Sequence, residues 1–174
     1  MEQEVIAQIK KAKNGDKEAL IQLIMGQKED YYRLAYVYMK NQEDALDAME
    51  DMILKVFENI KTLKKLESFY SWSKTILVNC CKQNLRNKNK VVLLQELPEE
   101  AYEEQLSEHE ERIVFEDHLA KLNPKYQEVL RLRFLLDMDY QNIASLLKIP
   151  LGTVKSRIHT GLKMLKHEME VEQG

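Results

Sequence analysis

Between Asp139 and Glu168 the sequence holds no carboxylate, and into that gap fall Thr153, Lys155, Ser156, Arg157, His159, Thr160 and Lys163. These are cations, hydroxyls and one imidazole. They can donate to phosphate oxygens and to base edges, whereas a carboxylate among them would repel a phosphate. Val154, Ile158, Leu162 and Leu165 recur at steps of four, four and three. A helix therefore gathers those four on one face and turns the polar set away from it. The chemistry on offer is recognition of nucleic acid.

The elements that must hold this face are legible just upstream. Ile143, Ala144, Leu146 and Leu147 make an apolar face at helical spacing in Tyr140 to Leu147. Asp139 is placed to cap that helix, because its carboxylate accepts from the free amides of the first turn. Pro150 disfavours helical geometry at Ile149, so the helix should stop near Lys148 and the next start near Leu151 or Gly152. A short helix, a tight turn and a longer helix with a one-signed front is a helix-turn-helix, here Tyr140 to His159. The plain alternative is an amphipathic hairpin with a solvated basic face. His159 reads as a groove or phosphate contact and His167 as a charge near a helix end; neither has a partner at metal-ligand spacing.

A second cationic set lies between residues 61 and 90, where Lys61, Lys64, Lys65, Lys74, Lys82, Arg86, Lys88 and Lys90 face a single acid, Glu67. A helix predicted over about Glu67 to Asn89 carries Phe69, Trp72, Ile76, Leu77, Cys80, Cys81 and Leu85 on its apolar side. Lys74, Lys82, Arg86 and Lys90 fall at multiples of four, with Thr75 and Asn79 beside them. Aromatic rings beside a basic stripe suit an unpaired strand, since cations follow phosphates and rings stack on bases. Trp72 also fits a core position on the same side.

A third set is acidic. Asn41 and Asp44 form a cap pattern for a long helix running to about Ile60, with Ala45, Met49, Met52, Ile53, Val56 and Ile60 as its core stripe. Its other side carries Asp44, Asp47, Glu50 and Asp51, with Glu43 at the start. No histidine accompanies them, and their spacing is neither a calcium loop nor a catalytic carboxylate pair. A solvated face and a protein-docking face remain.

The bulk of the chain agrees with helices throughout. Its 174 residues include only Gly 5 and Pro 3, and no alternating run of β-branched residues stands out. The expected class is all-α. Further helices are expected around Val5 to Ile9, Ala19 to Ile24 and Tyr31 to Met39, with a break at Asn14-Gly15-Asp16. Net charge is −3, but the distribution is uneven. Residues 1–90 hold 16 Lys+Arg against 13 Asp+Glu, residues 91–120 hold 1 against 10, and residues 121–174 hold 9 against 6. Two mildly basic blocks thus flank an acidic strip, whose first part should be a flexible, self-repelling connector. From about Glu108 the strip should turn helical, with Ile113, Val114 and Leu119 docking on the second block. The expected division is 1–90, an acidic linker 91–112, and 113–174. The amphipathic, charged start reads as cytoplasmic rather than as a signal peptide, and no apolar run spans a membrane. Adjacent Cys80 and Cys81 read as reduced core thiols. No cofactor or metal is expected.

Taken together, the chain resembles the extracytoplasmic-function sigma factors, the small bacterial RNA polymerase sigma subunits of the sigma-70 family. Three stretches carry the resemblance. NQEDALDAMEDMILKVFENI is similar to the family's core-polymerase-binding segment: Asp44, Ala45, Asp47 and Asp51 match, while Leu46 and Glu50 depart from it. FYSWSKTILVNCCKQNLRNKNK is similar to the segment that melts the minus-ten element: Phe69, Trp72, Ile76, Asn79, Leu85 and Arg86 match, and Gln83 stands where an Asp is common. Thr153-Val154-Lys155-Ser156-Arg157 is similar to the family's minus-thirty-five-reading sequence. The resemblance implies a sigma-two-like and a sigma-four-like helical domain joined by a linker that passes through the polymerase's nucleic-acid path. It implies a non-enzymatic protein that binds core RNA polymerase and promoter DNA and serves a stress-responsive regulon. A regulating anti-sigma factor, often membrane-anchored in the family, is also implied.

Role by role, the resemblance implies that Asp44, Ala45, Asp47, Glu50, Asp51 and Lys55 meet the polymerase. Lys64, Lys65, Phe69, Trp72, Asn79, Lys82 and Arg86 would meet minus-ten DNA. Thr153, Lys155, Ser156, Arg157, His159 and Thr160 would meet minus-thirty-five DNA. A competing class is a stand-alone dimeric helix-turn-helix regulator, which would bind duplex DNA tightly without polymerase. An enzyme has no support, because there is no Gly-rich phosphate loop and no nucleophile paired with a base.

Overall fold

The computed structural model describes residues 2–92 and 109–174, with the side chains of 90–113 and 173 excepted. The chain divides into two compact units, Met1–Gln95 and Glu96–Gly174. Among the described residues every regular element is helical, as the all-α reading requires. The connector expected in the acidic strip falls mostly outside the described residues.

The first unit holds α1 (Glu2–Lys13), α2 (Lys17–Met25), α3 (Lys28–Met39), α4 (Gln42–Asn59) and α5 (Phe69–Val92). Local chemistry sets the starts. Asp16 caps α2 by accepting from the Ala19 amide, and Asn41 caps α4 by accepting from the Asp44 amide. The break before α2 uses Gly15 at φ +99, a conformation that costs glycine nothing. Short 3-10 turns at Ile60–Thr62 and Leu66–Ser68 lead from α4 into α5. The core is built from Ile9, Leu20, Ile24, Tyr31, Leu34, Met52, Val56, Phe69 and Leu77, all buried. In the predicted α4 stripe, Ile53 alone is only half-buried. One polar bond crosses this core: Tyr31 Oη and Ser73 Oγ lie 2.7 Å apart, joining α3 to α5. Burial pushes the Tyr31 hydroxyl up to about 12, so it stays protonated.

The second unit holds α6 (His109–Ala120), α7 (Pro124–Phe134), α8 (Tyr140–Leu147) and α9 (Leu151–Gln173). Helix α6 begins at His109, next to Glu108, from about which helix is expected. Asn123 caps α7, and Pro124 occupies the first turn, where its missing N–H costs nothing. Leu119, Leu122, Val129, Leu130, Leu132, Ile143, Leu146, Val154, Ile158 and Leu165 form the core. Leu119 is buried as expected, Val114 is exposed, and the side chain of Ile113 lies outside the described residues. Helix α6 is also tied down by polar groups. Buried Arg131 donates to Glu116 through Nε (3.1 Å) and Nη2 (2.9 Å), and through Nη1 to Gln127 (2.9 Å). A guanidinium so enclosed needs these acceptors, since a buried unpaired charge is costly.

Candidate nucleic-acid interface

The helix-turn-helix of the second unit forms where its local chemistry dictates. Asp139 accepts from the Asn142 amide at 2.7 Å and from its side-chain amide at 3.0 Å. Helix α8 ends on Lys148 in the left-handed conformation (φ 54), and the Ile149 amide turns back to the Ala144 carbonyl at 3.1 Å. Pro150 then opens α9, with no side chain capping that first turn. Val154 and Ile158 are buried against the rest of the unit, which turns the other faces of α9 outward. Lys155, Ser156 and His159 are exposed, and Thr153, Arg157 and Thr160 are half-buried at the rim. The six expected donors therefore share one end of one helix.

The expected apolar stripe needs one correction. Leu162 is 40% exposed, while Gly161 is buried. A Cβ at Gly161 would stand 3.0 Å from Leu130 Cδ1 and 3.3 Å from Tyr126 Cβ. Helices α7 and α9 approach so closely there that a glycine lines the seam and the leucine beside it is left outside.

In the first unit, Lys61, Lys64 and Lys65 are exposed on the loop between α4 and α5, and Asn79 and Arg86 are exposed along α5. Lys82 is half-buried. Arg86 is steadied by a 3.1 Å bond from its guanidinium to Gln83. Lys74 pairs with Asp30 at 3.7 Å, so part of its charge is answered within the fold. Phe69, expected to meet DNA, is 0% exposed: its ring fills the core at the start of α5. Trp72 is half-buried, its ring centroid 6.3 Å from that of Phe69. Tyr70 packs edge-on against Phe69 at 5.2 Å. The aromatic surface left beside the lysine loop is thus Trp72 and Tyr70.

The acids of α4 share one side of the helix but differ in exposure. Asp47 and Glu50 are exposed, whereas Asp44 and Asp51 turn toward α5. Asn84 donates to Asp51 Oδ2 at 3.0 Å, and Lys88 forms an ion pair with Asp44. Burial pushes the Asp44 carboxyl up, but hydrogen bonds from Asn41 and Lys88 and the charge of Lys88 outweigh it, and the net shift is downward. Lys55 is exposed on the same side of α4, near enough to Cys80 on α5 for its charge to act on that thiol. Ala45, expected in the docking segment, is 0% exposed and packs into the core.

Comparison with known proteins accounts for this arrangement. The family model described as Sigma-70 region 2 matches residues 23–91, within the first unit. The one described as Sigma-70, region 4 matches residues 112–165, within the second. RNA polymerase sigma factor SigV of Bacillus subtilis (strain 168) is 30% identical over 162 residues, covering 93% of this chain and 98% of the relative. The chain belongs to the sigma-70 family.

It is an extracytoplasmic-function sigma factor, a subunit that directs RNA polymerase in transcription initiation. ECF RNA polymerase sigma factor SigW of the same organism is 26% identical over 188 residues, covering 97% of this chain and 98% of the relative. The fold is shared with CnrH, solved in complex with the cytosolic domain of CnrY, at TM-score 0.68 and 17% identity over 95% of this chain and 97% of that one. It is shared also with RpoE of Bartonella quintana, solved with the anti-sigma factor NepR, at TM-score 0.66 and 18% identity over 86% and 96%.

The remaining reactive groups of this sigma factor serve packing. Cys80 and Cys81 are free and buried; burial raises both thiols, Cys81 to about 12, so neither is a nucleophile at neutral pH. Among the described residues no group of three or more His, Cys, Asp and Glu is placed to hold a metal ion. No described helix is long and apolar enough to cross a membrane. Residues that sequence reasoning passed over are Asn84, which ties α5 to α4, and Lys13, which reaches the lysine loop. Each acts through a partner at least 33 positions away, so no local pattern marks it.

Proposed function

We propose that the two units grip one promoter at two places. The carrying observation is the outer face of α9, where Lys155, Ser156 and His159 are exposed and Arg157 and Thr160 flank them, on a stretch without acids. That face fits a duplex major groove at the minus-thirty-five element, with Arg157 and Lys155 donating to guanine edges or phosphates and the hydroxyls of Thr153, Ser156 and Thr160 adapting to what lies beside them. Residues 1–90 take the minus-ten element. Lys64 and Lys65 follow the non-template backbone, Lys82 and Arg86 continue the track along α5, and Asn79 with Trp72 meets an unstacked base. Asp47, Glu50 and Lys55, with the seam of Asp44 and Asp51 behind them, form the surface that docks on core polymerase.

Residues 1–90 and 121–174 are each only weakly basic, so neither block holds DNA tightly at physiological salt. The polymerase supplies avidity by fixing both at promoter spacing. The chain performs no catalysis itself, acts in the cytoplasm within a stress response, and is held by an anti-sigma factor, a reading supported by its fold relative RpoE, solved with the anti-sigma factor NepR. The test is run-off transcription from the promoter of its own operon, with core polymerase alone and with the chain added. A discrete transcript that appears only with the chain supports the reading. No transcript together with no association with core would end it. Tight, specific duplex binding without polymerase would favour the dimeric regulator instead.

A further inference from the structure

The loop that carries Lys61, Lys64 and Lys65 is braced by the first helix. Lys13, the last residue of α1, donates from Nζ to the main-chain carbonyl of Leu63 at 2.6 Å, across fifty positions of sequence. That carbonyl belongs to the peptide joining Leu63 to Lys64. The Leu63 side chain is buried and its backbone is extended at ψ 115, so the orientation of this one peptide sets the direction in which Lys64 and Lys65 leave the core. Other hydrogen bonds of the loop are local. Thr62 Oγ1 donates to the Asn59 carbonyl, the Leu63 amide to Ile60, and the Ser68 amide and hydroxyl to Lys65. They shape the turns at each end without tying the middle to the body of the unit. Helix α1 is itself anchored, with Ile9 and Ala12 buried, and it lies before the segment 23–91 that matches Sigma-70 region 2.

We propose that Lys13 is a positioning residue for promoter opening. Its ammonium holds the Leu63–Lys64 peptide and so aims Lys64 and Lys65 at the displaced strand. An ammonium-to-carbonyl bond is among the stronger hydrogen bonds available to a surface loop. A half-buried donor also loses less to competing water than an exposed one. Without that bond the ψ angle of Leu63 is released, and the two lysines must be ordered when DNA arrives, which slows the step that uses them. The inference rests on the reading of this loop as a single-strand surface.

The test uses the full chain with bacterial core polymerase on the template that gives a run-off transcript. A fluorescent base analogue in the melted segment reports opening, and anisotropy reports association with core. Lys13→Met keeps the aliphatic stem and removes the donor; Lys13→Arg keeps a donor. The expected result is opening slowed about five- to tenfold in Lys13→Met, the size of one ordinary hydrogen bond, with association unchanged. Lys13→Arg should recover most of the rate. Opening of Lys13→Met at the wild-type rate would overturn the inference, as would a parallel fall in opening and association, or an arginine no better than methionine. A wild-type chain that opens no template at all would instead count against the reading of the loop.

Discussion

Asn84 on α5 donates a 3.0 Å hydrogen bond to Asp51 on α4, and one turn further along α5 Lys88 meets Asp44, seven positions earlier on α4. The two helices run antiparallel at this seam, and each acid-to-α5 contact repeats the other. Four carboxylates that look equivalent in sequence thereby take two jobs. Asp44 and Asp51 hold the helices together, and Asp47 and Glu50 stay exposed on the outside.

Substitutions at the two kinds of acid should separate. Asp47→Ala should leave stability within about 0.5 kcal/mol, as for other surface changes, and weaken association with core polymerase. Asp51→Ala removes the acceptor of Asn84 and should cost about 1 kcal/mol of unfolding free energy as well. Urea denaturation followed by circular dichroism reads the first quantity, and a pull-down with core polymerase the second. Wild-type retention of Asp47→Ala on core would move the docking surface elsewhere.

The Asp44–Lys88 pair also sets a direction with pH. The folded carboxyl titrates below its unfolded value, so the folded state binds fewer protons there. Its contribution to stability is complete above the unfolded value of about 4 and is lost as pH falls through the lower folded value. Thermal melts between neutrality and about pH 3 should therefore lose less stability in Asp44→Asn than in the wild type across that acid window. Equal acid sensitivity of the two proteins would show that the pair is not coupled to folding.

How much of this was legible in the sequence depends on the range of the interaction. The caps at Asn41 and Asp139 and the stop ahead of Pro150 are set by neighbours within a few positions, and the structure has all three. The stripe on α9 failed at Leu162, because a period-based reading favours large apolar residues and cannot see that Tyr126 and Leu130 come close enough to require Gly161. Phe69 and Ala45 belong to recognisable motifs, yet a motif mixes side chains that face a partner with side chains that hold them in place. Nothing in the run LRLRF marks Arg131 as buried, since its partner Glu116 is 15 positions away. The same distance problem hides Lys13.

The seam at Gly161 gives a stability prediction of known sign. Alanine gains up to about 1 kcal/mol of helix propensity over glycine. Against that, the new Cβ meets Leu130 Cδ1 at 3.0 Å and Tyr126 Cβ at 3.3 Å, and Leu130 is fully buried with nowhere to retreat. Overpacking of this kind costs about 1–3 kcal/mol, so Gly161→Ala should be destabilising by about 1 kcal/mol net. Denaturant unfolding of the full chain, followed at the transition of the second unit, measures it. A gain in stability would mean that α9 shifts along α7 without penalty.

The last prediction separates two adjacent cations on α9. Arg157 is half-buried at the rim of the helix and Lys155 is exposed. A planar guanidinium is suited to a bidentate contact with a guanine edge, whereas an exposed ammonium acts as a point charge toward phosphate. Arg157→Ala should cost about 1–3 kcal/mol on the preferred minus-thirty-five sequence and relax preference at a single base pair. Lys155→Ala should weaken every sequence alike and lower the slope of log affinity against log salt by about one. Holoenzyme binding to a panel of single-position promoter variants, at several salt concentrations, checks both. A uniform loss for Arg157→Ala across the panel would reassign it to the phosphate backbone, and a base-specific loss for Lys155→Ala would bring that side chain into the groove.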